Sequence, residues 1–260
     1  MVPEEGTIDW VFEAARWWLS NFGGFAEFAT TPIVLPTKED FPVDTSLCGH
    51  ALTEDYFGYA KEHARLGDWP LVMVSEAVPN VAEILHGMPH GMTAPVSGST
   101  AGPMQDGDPL AIPYDPSLLD DPVALVATMA RGMSHYHLYG ATTEFPGEAE
   151  DREYFVDLGA VFLGFGVFLA NSAFRFQQTE SGMMVGWGCT RRGALSELDV
   201  SYVLALACAL TGAPDKPILR SLSANPKSFF KAARKHLRKK RRDDVERLRS
   251  VEAPNDGPYR

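Results

Sequence analysis

Apolar positions recur at helical spacing along much of the chain and form only short strand-like runs between proline- and glycine-rich breaks. Trp10, Ala14, Trp17 and Trp18 mark a first helix that Thr7 can cap, running to about Phe22 with Gly23-Gly24 as its stop. A second helix is predicted from Thr53 to Leu66, ending at Gly67. Asp121 followed by Pro122 is a strong helix start, because Asp accepts from free backbone N–H groups and proline suits the first helical position. That helix should run from Pro122 to about Tyr139 and stop at Gly140. After an acidic turn from Glu144 to Asp151, another should run from about Arg152 to Ala173. Ser196 with Asp199 gives a capping-box signature for a helix carrying Tyr202, Leu206, Ala209 and Leu210, closed by Gly212 before Pro214. The last three helices are the expected core.

Strand-like runs are Ile33-Val34-Leu35, Leu71-Val72-Met73-Val74 and Leu110-Ala111-Ile112, the last followed by a turn-like Pro113-Tyr114-Asp115-Pro116. From Val78 to Asp121 glycine and proline are dense, which predicts loops with short strands, and so long an irregular stretch is a candidate cleft edge or lid. The fold class expected is therefore α+β, mostly helical, with a small N-terminal strand region and an irregular Gly/Pro-rich middle. Residues 1–222 are expected to form a single domain, with 223–260 as a basic C-terminal helix or tail.

Composition narrows the function. With 45% hydrophobic and 22% charged residues the chain is of globular type, which excludes global disorder. The start MVPEEGTIDW has acidic residues where a secretory signal has basic ones, and Cys48, Cys189 and Cys208 lie far apart, so a cytoplasmic protein with reduced thiols is expected. The apolar stretch Leu158 to Phe174 falls short of the roughly 20 residues that span a bilayer and contains Asn171 and Ser172, so it reads as a buried helix and no membrane span is expected.

The net charge is −11, but it is unevenly placed: Lys227 to Arg249 holds 11 of the 23 basic residues against three acidic ones, a net +8 that leaves −19 on the remainder. An acidic body repels phosphates, so general nucleic-acid binding by the body is excluded. Phe229, Phe230, Ala233, Leu237, Val245 and Leu248 form a thin apolar stripe through the basic segment. Three readings of it stand: a helix folding onto its own acidic body, an arm for an acidic partner or nucleic acid, and a membrane-surface helix. Lys227, Lys231, Arg234, Arg238 and Arg241 are its candidate partner-binding residues.

The residues Val126-Ala-Thr-Met-Ala-Arg-Gly-Met-Ser-His-Tyr-His-Leu138 resemble the active-site helix of zincin metallopeptidases, whose pattern is HExxH. Further similarity lies in Leu35-Pro36-Thr37 with Phe41-Pro42, in Asp157-Leu158 through Leu163-Gly164-Phe165-Gly166 to Ala170-Asn171-Ser172-Ala173-Phe174, and in Gly193-Ala194-Leu195-Ser196-Glu197 with Tyr202-Val203-Leu204-Ala205-Leu206. Over about Trp10 to Gly212 the chain thus resembles an uncharacterised bacterial family of zincin-like metallopeptidase fold. The resemblance implies a zincin-like pair of core helices and a third metal ligand early in the helix after the motif, where Glu153-Tyr-Phe-Val-Asp157 offers Glu153 first and Asp157 second.

The motif is degenerate here, reading Arg131-Gly132-Met133-Ser134-His135, so only the second histidine remains. Arg131 replaces a ligand by a guanidinium that does not deprotonate, and Gly132 lacks the carboxylate that would activate a zinc-bound water. No cofactor is therefore expected. Arg131 is expected to pair with Glu153 or Asp157, since a buried carboxylate without a partner is costly. The leading reading is a non-catalytic metallopeptidase-like protein that binds an unknown protein or ligand. One rival is a metal-dependent hydrolase with a site rebuilt around His135, Glu153, Asp157 and a loop histidine. Another is a scaffold or oligomerisation module working through the basic C-terminal helix. Arg191 and Arg192 are candidate cleft cations, His86 and His90 have i, i+4 spacing but with Gly87 and Pro89 between them, which argues for a loop, and His50 follows Cys48-Gly49 in an irregular segment.

Overall fold

The computed structural model describes residues 1–75, 110–141, 143–148, 151–178 and 194–253. Helix α1 (Glu5–Asn21) starts before Thr7 rather than after it, with Glu5 in the first turn, where a carboxylate interacts favourably with the helix dipole. Gly23 and Gly24 both adopt positive φ, at 80° and 71°, and turn the chain into the short helix α2 (Gly24–Phe28). The run Ile33-Val34-Leu35 is not a strand. Flanked by Pro32 and Pro36, which have no N–H to give to a ladder, it makes isolated bonds instead: Val34 N–H donates to Gly164 O at 2.9 Å and Leu35 N–H to Asp40 Oδ2 at 2.6 Å.

Helix α3 (Gly49–His63) lies several residues upstream of its expected span, because it begins directly after Cys48 and ends before Arg65, which takes a left-handed φ of 58° ahead of Gly67. Strands β1 (Leu71–Ser75) and β2 (Leu110–Tyr114) form a two-stranded parallel sheet, in register from Leu71↔Leu110 to Ser75↔Tyr114. The run expected to turn at Pro113-Tyr114 thus continues as strand through both residues; Asp115 then accepts from Ser117 N–H and opens a single 3-10 turn, Pro116–Asp120.

Helix α4 (Pro122–Tyr139) begins and ends as the sequence signals, with Asp121 at its N-cap and Gly140 at its C-cap. It packs on β2 and on the long apolar helix that follows it in space. That helix is not uniform. It consists of α5 (Arg152–Ala160), one widened π turn over Val161–Phe165, and α6 (Gly166–Gln178). The turn exists because Gly164 takes φ 104°, and a Cβ there would stand 2.4 Å from Pro32 O. The stretch Arg152–Ala173 is long and apolar enough to cross a membrane, yet it is almost wholly buried inside the fold.

Helix α7 (Glu197–Thr211) is held at its start by a reciprocal Ser196–Asp199 capping box and closed by Gly212 at φ 73°. Its residues from Val200 to Cys208 are all buried, so it needs cover on every side. Helix α6 supplies one side. After α8 (Asp215–Ser221), another side is covered by α9 (Ala224–Lys240), with α10 (Arg242–Arg249) continuing onto α1. Phe230, Ala233, Leu237, Val245 and Leu248 are buried there as part of the common hydrophobic cluster, whereas Phe229 is only half-buried. The basic segment is two helices rather than one, broken at Arg241, after which Asp243 and Asp244 provide the acidic first turn of a new helix.

Candidate functional site

Close approach of α4 and α5 builds the site. Gly159 permits it, because a Cβ at that position would stand 2.3 Å from both Ser134 Oγ and the Trp18 ring. With that space free, the Ser134 hydroxyl donates to Val156 O at 2.8 Å and fastens the two helices together. Arg131, one turn before Ser134, then faces Glu153 and Asp157, which lie one turn apart along α5. Its Nη2 donates to Glu153 Oε2 at 3.0 Å, and its Nη1 forms an ion pair with Asp157 Oδ1. The Arg131 side chain is 11% exposed, Glu153 26% and Asp157 1%.

The expected pairing is therefore present with both carboxylates at once. Asp157 does a second job: its Oδ2 accepts from Leu195 N–H at 2.9 Å, which ties the segment leading into α7 to the same cluster. A small depression lies beside it, lined by Arg131, Asp157, Leu169, Ser172, Leu195 and Val200.

These residues do not suit a metal ion. A permanent cation sits on the two carboxylates that would have to ligate, and among the described residues no group of three or more His, Cys, Asp or Glu side chains converges as a metal site. His135, one turn beyond Arg131 on α4, is half-buried with its ring edge-on to Tyr136, at 6.1 Å between centroids. The structure thus does not bring His135, Glu153 and Asp157 together as a ligand set. Gly132 is also explained by packing: a Cβ there would lie 2.5 Å from Ile112 Cγ2, so β2 fills the space a larger side chain would need.

Compared with known proteins, the chain matches no family model, no curated protein and no solved structure.

Of the other candidates, Arg191, Arg192, His86, His90 and Cys189 lie outside the described residues. The five basic residues named on the C-terminal segment divide into two sets. Arg234 and Arg241 point back at the protein's own acids: Arg234 Nε meets Asp215 Oδ1 at 2.8 Å, and Arg241 pairs with Glu5 and Asp9 of α1 and with Asp244. They are structural ion pairs rather than partner contacts. Lys231 and Arg238 are exposed, and Lys227 is half-buried.

Several polar arrangements carried at most a partial sequence signal. His137, two residues past His135 and so on another face of α4, is stacked between Trp18 and Trp69 at 5.4 and 5.5 Å and touches Phe22 at 4.3 Å. Burial among these rings pulls its pKa down to about 4. His50 Nδ1 lies 3.0 Å from the hydroxyl of buried Tyr114, with Glu54 at 3.5 Å on its other nitrogen; the i, i+4 spacing of His50 and Glu54 was the visible half of this trio. Cys48 is exposed at the start of α3, and the second thiol, Cys208, is buried in α7, where desolvation pushes it up to about 12. Buried Asn21 joins Trp17 to Thr143, accepting from Thr143 N–H at 3.0 Å and donating to Trp17 O at 2.9 Å.

Proposed function

We propose that the chain is a degenerate, non-catalytic zincin-like metallopeptidase relative that acts in the cytoplasm as a binding or regulatory module. The observation that supports this reading is the Arg131 guanidinium seated between Glu153 and Asp157. A metal at such a place would neutralise the carboxylates; here a side chain does so permanently, and no water is activated by a guanidinium. The packing of Ile112 against Gly132 adds a second reason, since a restored glutamate would have to displace β2.

The test is metal analysis of the chain purified without an affinity tag, alongside Arg131→His. The reading expects wild type to hold no zinc and to hydrolyse no peptide. The Arg131→His chain, which regains the first histidine of the motif and frees both carboxylates, should take up about one zinc per chain, as a four-ligand tetrahedral site needs only a water besides these groups. Stoichiometric zinc in wild type that is lost on His135→Ala would overturn it, in favour of a metal-dependent hydrolase. A folded Arg131→His chain that takes up no zinc would remove the metallopeptidase ancestry.

A further inference from the structure

Helix α9 carries a continuous cationic face that the fold leaves unused. Its apolar side, Pro226, Phe230, Ala233 and Leu237, is buried in the protein. Lys227, Lys231, Lys235, Arg238 and Lys239 lie on a different side, because residues three, four and eight apart return to one face of a helix. All but Lys227 are exposed. The row extends for about 18 Å, with cations at intervals of about 6 Å or less. No acidic residue occurs between Lys216 and Arg242, and among the described residues none of the five makes an ion pair, in contrast to Arg234 and Arg241 on the same segment. The inward cations Arg234 and Arg241 are thus matched by acids, whereas the outward row on α9 is not.

We infer that this face of α9 is a docking surface for the phosphate backbone of a nucleic acid. Charge complementarity carries the assignment: a duplex presents one negative charge per about 1.7 Å of axis, and lysine and arginine rows are what neutralise it. A membrane surface fits less well, since an interfacial helix needs a free apolar face, and that of α9 is already packed against the protein. An acidic protein partner also fits less well. Protein interfaces have apolar or aromatic centres and are depleted in lysine, whereas this row is mostly lysine and the large apolar residues exposed among those described, Met1 and Tyr154, are not on α9. The strongly negative remainder of the chain repels the same phosphates, which favours approach by way of the α9 face. Binding of this kind is independent of base sequence and is driven by counterion release. It does not depend on the Arg131 site.

The experiment is fluorescence anisotropy of the full chain with a labelled 20-base-pair DNA duplex and a labelled 20-nucleotide RNA strand, and light scattering with phosphatidylserine-containing vesicles. At 50 mM salt a Kd on the order of 10⁻⁵ M is expected for at least one nucleic acid, weakening about 100-fold or more by 200 mM. The triple variant Lys231→Glu, Lys235→Glu, Arg238→Glu should lose at least about tenfold in affinity and about three units of the log–log salt slope. The neutral triple variant to Gln should fall between it and wild type, and Arg16→Glu with Lys38→Glu, away from α9, should leave binding within about twofold of wild type. Circular dichroism confirms that the variants fold. No binding to either nucleic acid at 50 mM salt, binding that the triple variant retains, or binding to vesicles alone would overturn the assignment.

Discussion

At the scale of single residues, the Arg131 cluster decides how the middle of the molecule is held. Asp157 is almost completely buried, and both of its oxygens are engaged, one by the guanidinium and one by Leu195 N–H. Such a carboxylate is tolerable only while its charge is matched. Arg131→Met should therefore destabilise the chain by about 3–5 kcal/mol in urea unfolding, the usual cost of leaving a buried charge alone. Adding Asp157→Asn should return more than half of that loss, because the amide oxygen still accepts from Leu195 N–H while the unmatched charge is gone. An Arg131→Met chain within about 1 kcal/mol of wild type would mean that water solvates Asp157 in the absence of the guanidinium.

At the scale of elements, α4 shows how one helix serves two environments. Its Arg131 side meets carboxylates, while His137, two residues beyond His135, enters the rings of Trp18, Trp69 and Phe22. The unfolded chain takes up the His137 proton near pH 6.5 and the folded chain only near pH 4. Between those values the unfolded state binds more protons, so stability must fall as pH falls, by up to about 3 kcal/mol across the window. Thermal unfolding of wild type and His137→Phe from pH 7.5 to pH 4 checks this: the difference in stability between them should shift in favour of the variant as pH drops, and a constant difference would count against it. This histidine also marks the limit of what the sequence could convey. The ends of α4 and the start of α7 were legible, since Asp121-Pro122, Gly140 and Ser196-x-x-Asp199 act through neighbours within one turn. Arg131 and its acids were legible because unlike charges near a degenerate motif have few other ways to be buried. The His137 rings, the β1–β2 pairing and the bonding of Val34 to Gly164 were not, as each joins residues remote in the chain. The π turn follows from the same contact: Gly164 is widened against Pro32, a close approach that periodicity along the helix does not encode.

At the scale of the whole molecule, the question is whether residues 223–260 can be separated from the rest. Helix α7 argues that they cannot. Tyr202 through Cys208 are buried consecutively, so both faces of that helix are covered, and α9 is one of the covers. The two layers are linked by polar contacts as well as apolar ones: the Tyr202 hydroxyl lies 3.0 Å from His236 Nδ1, Arg234 reaches Ala205 O, and Arg241 joins α9 to Glu5 and Asp9 at the other end of the chain. Removing residues from Ser223 onward would uncover the seats of Phe230, Leu237, Val245 and Leu248. At roughly 1.5–3 kcal/mol for each large apolar side chain, the loss is about as large as the entire stability of an ordinary domain. A chain ending at Leu222 should therefore lose its near-ultraviolet circular dichroism, bind a dye for exposed apolar surface, and show no cooperative urea transition. A truncated chain that unfolded cooperatively near the wild-type midpoint would establish the C-terminal helices as an independent appendage. In that event the cationic row of α9 would be carried by a movable arm, whereas the packing described above fixes it to the body, so that any polyanion it holds must lie along one defined face.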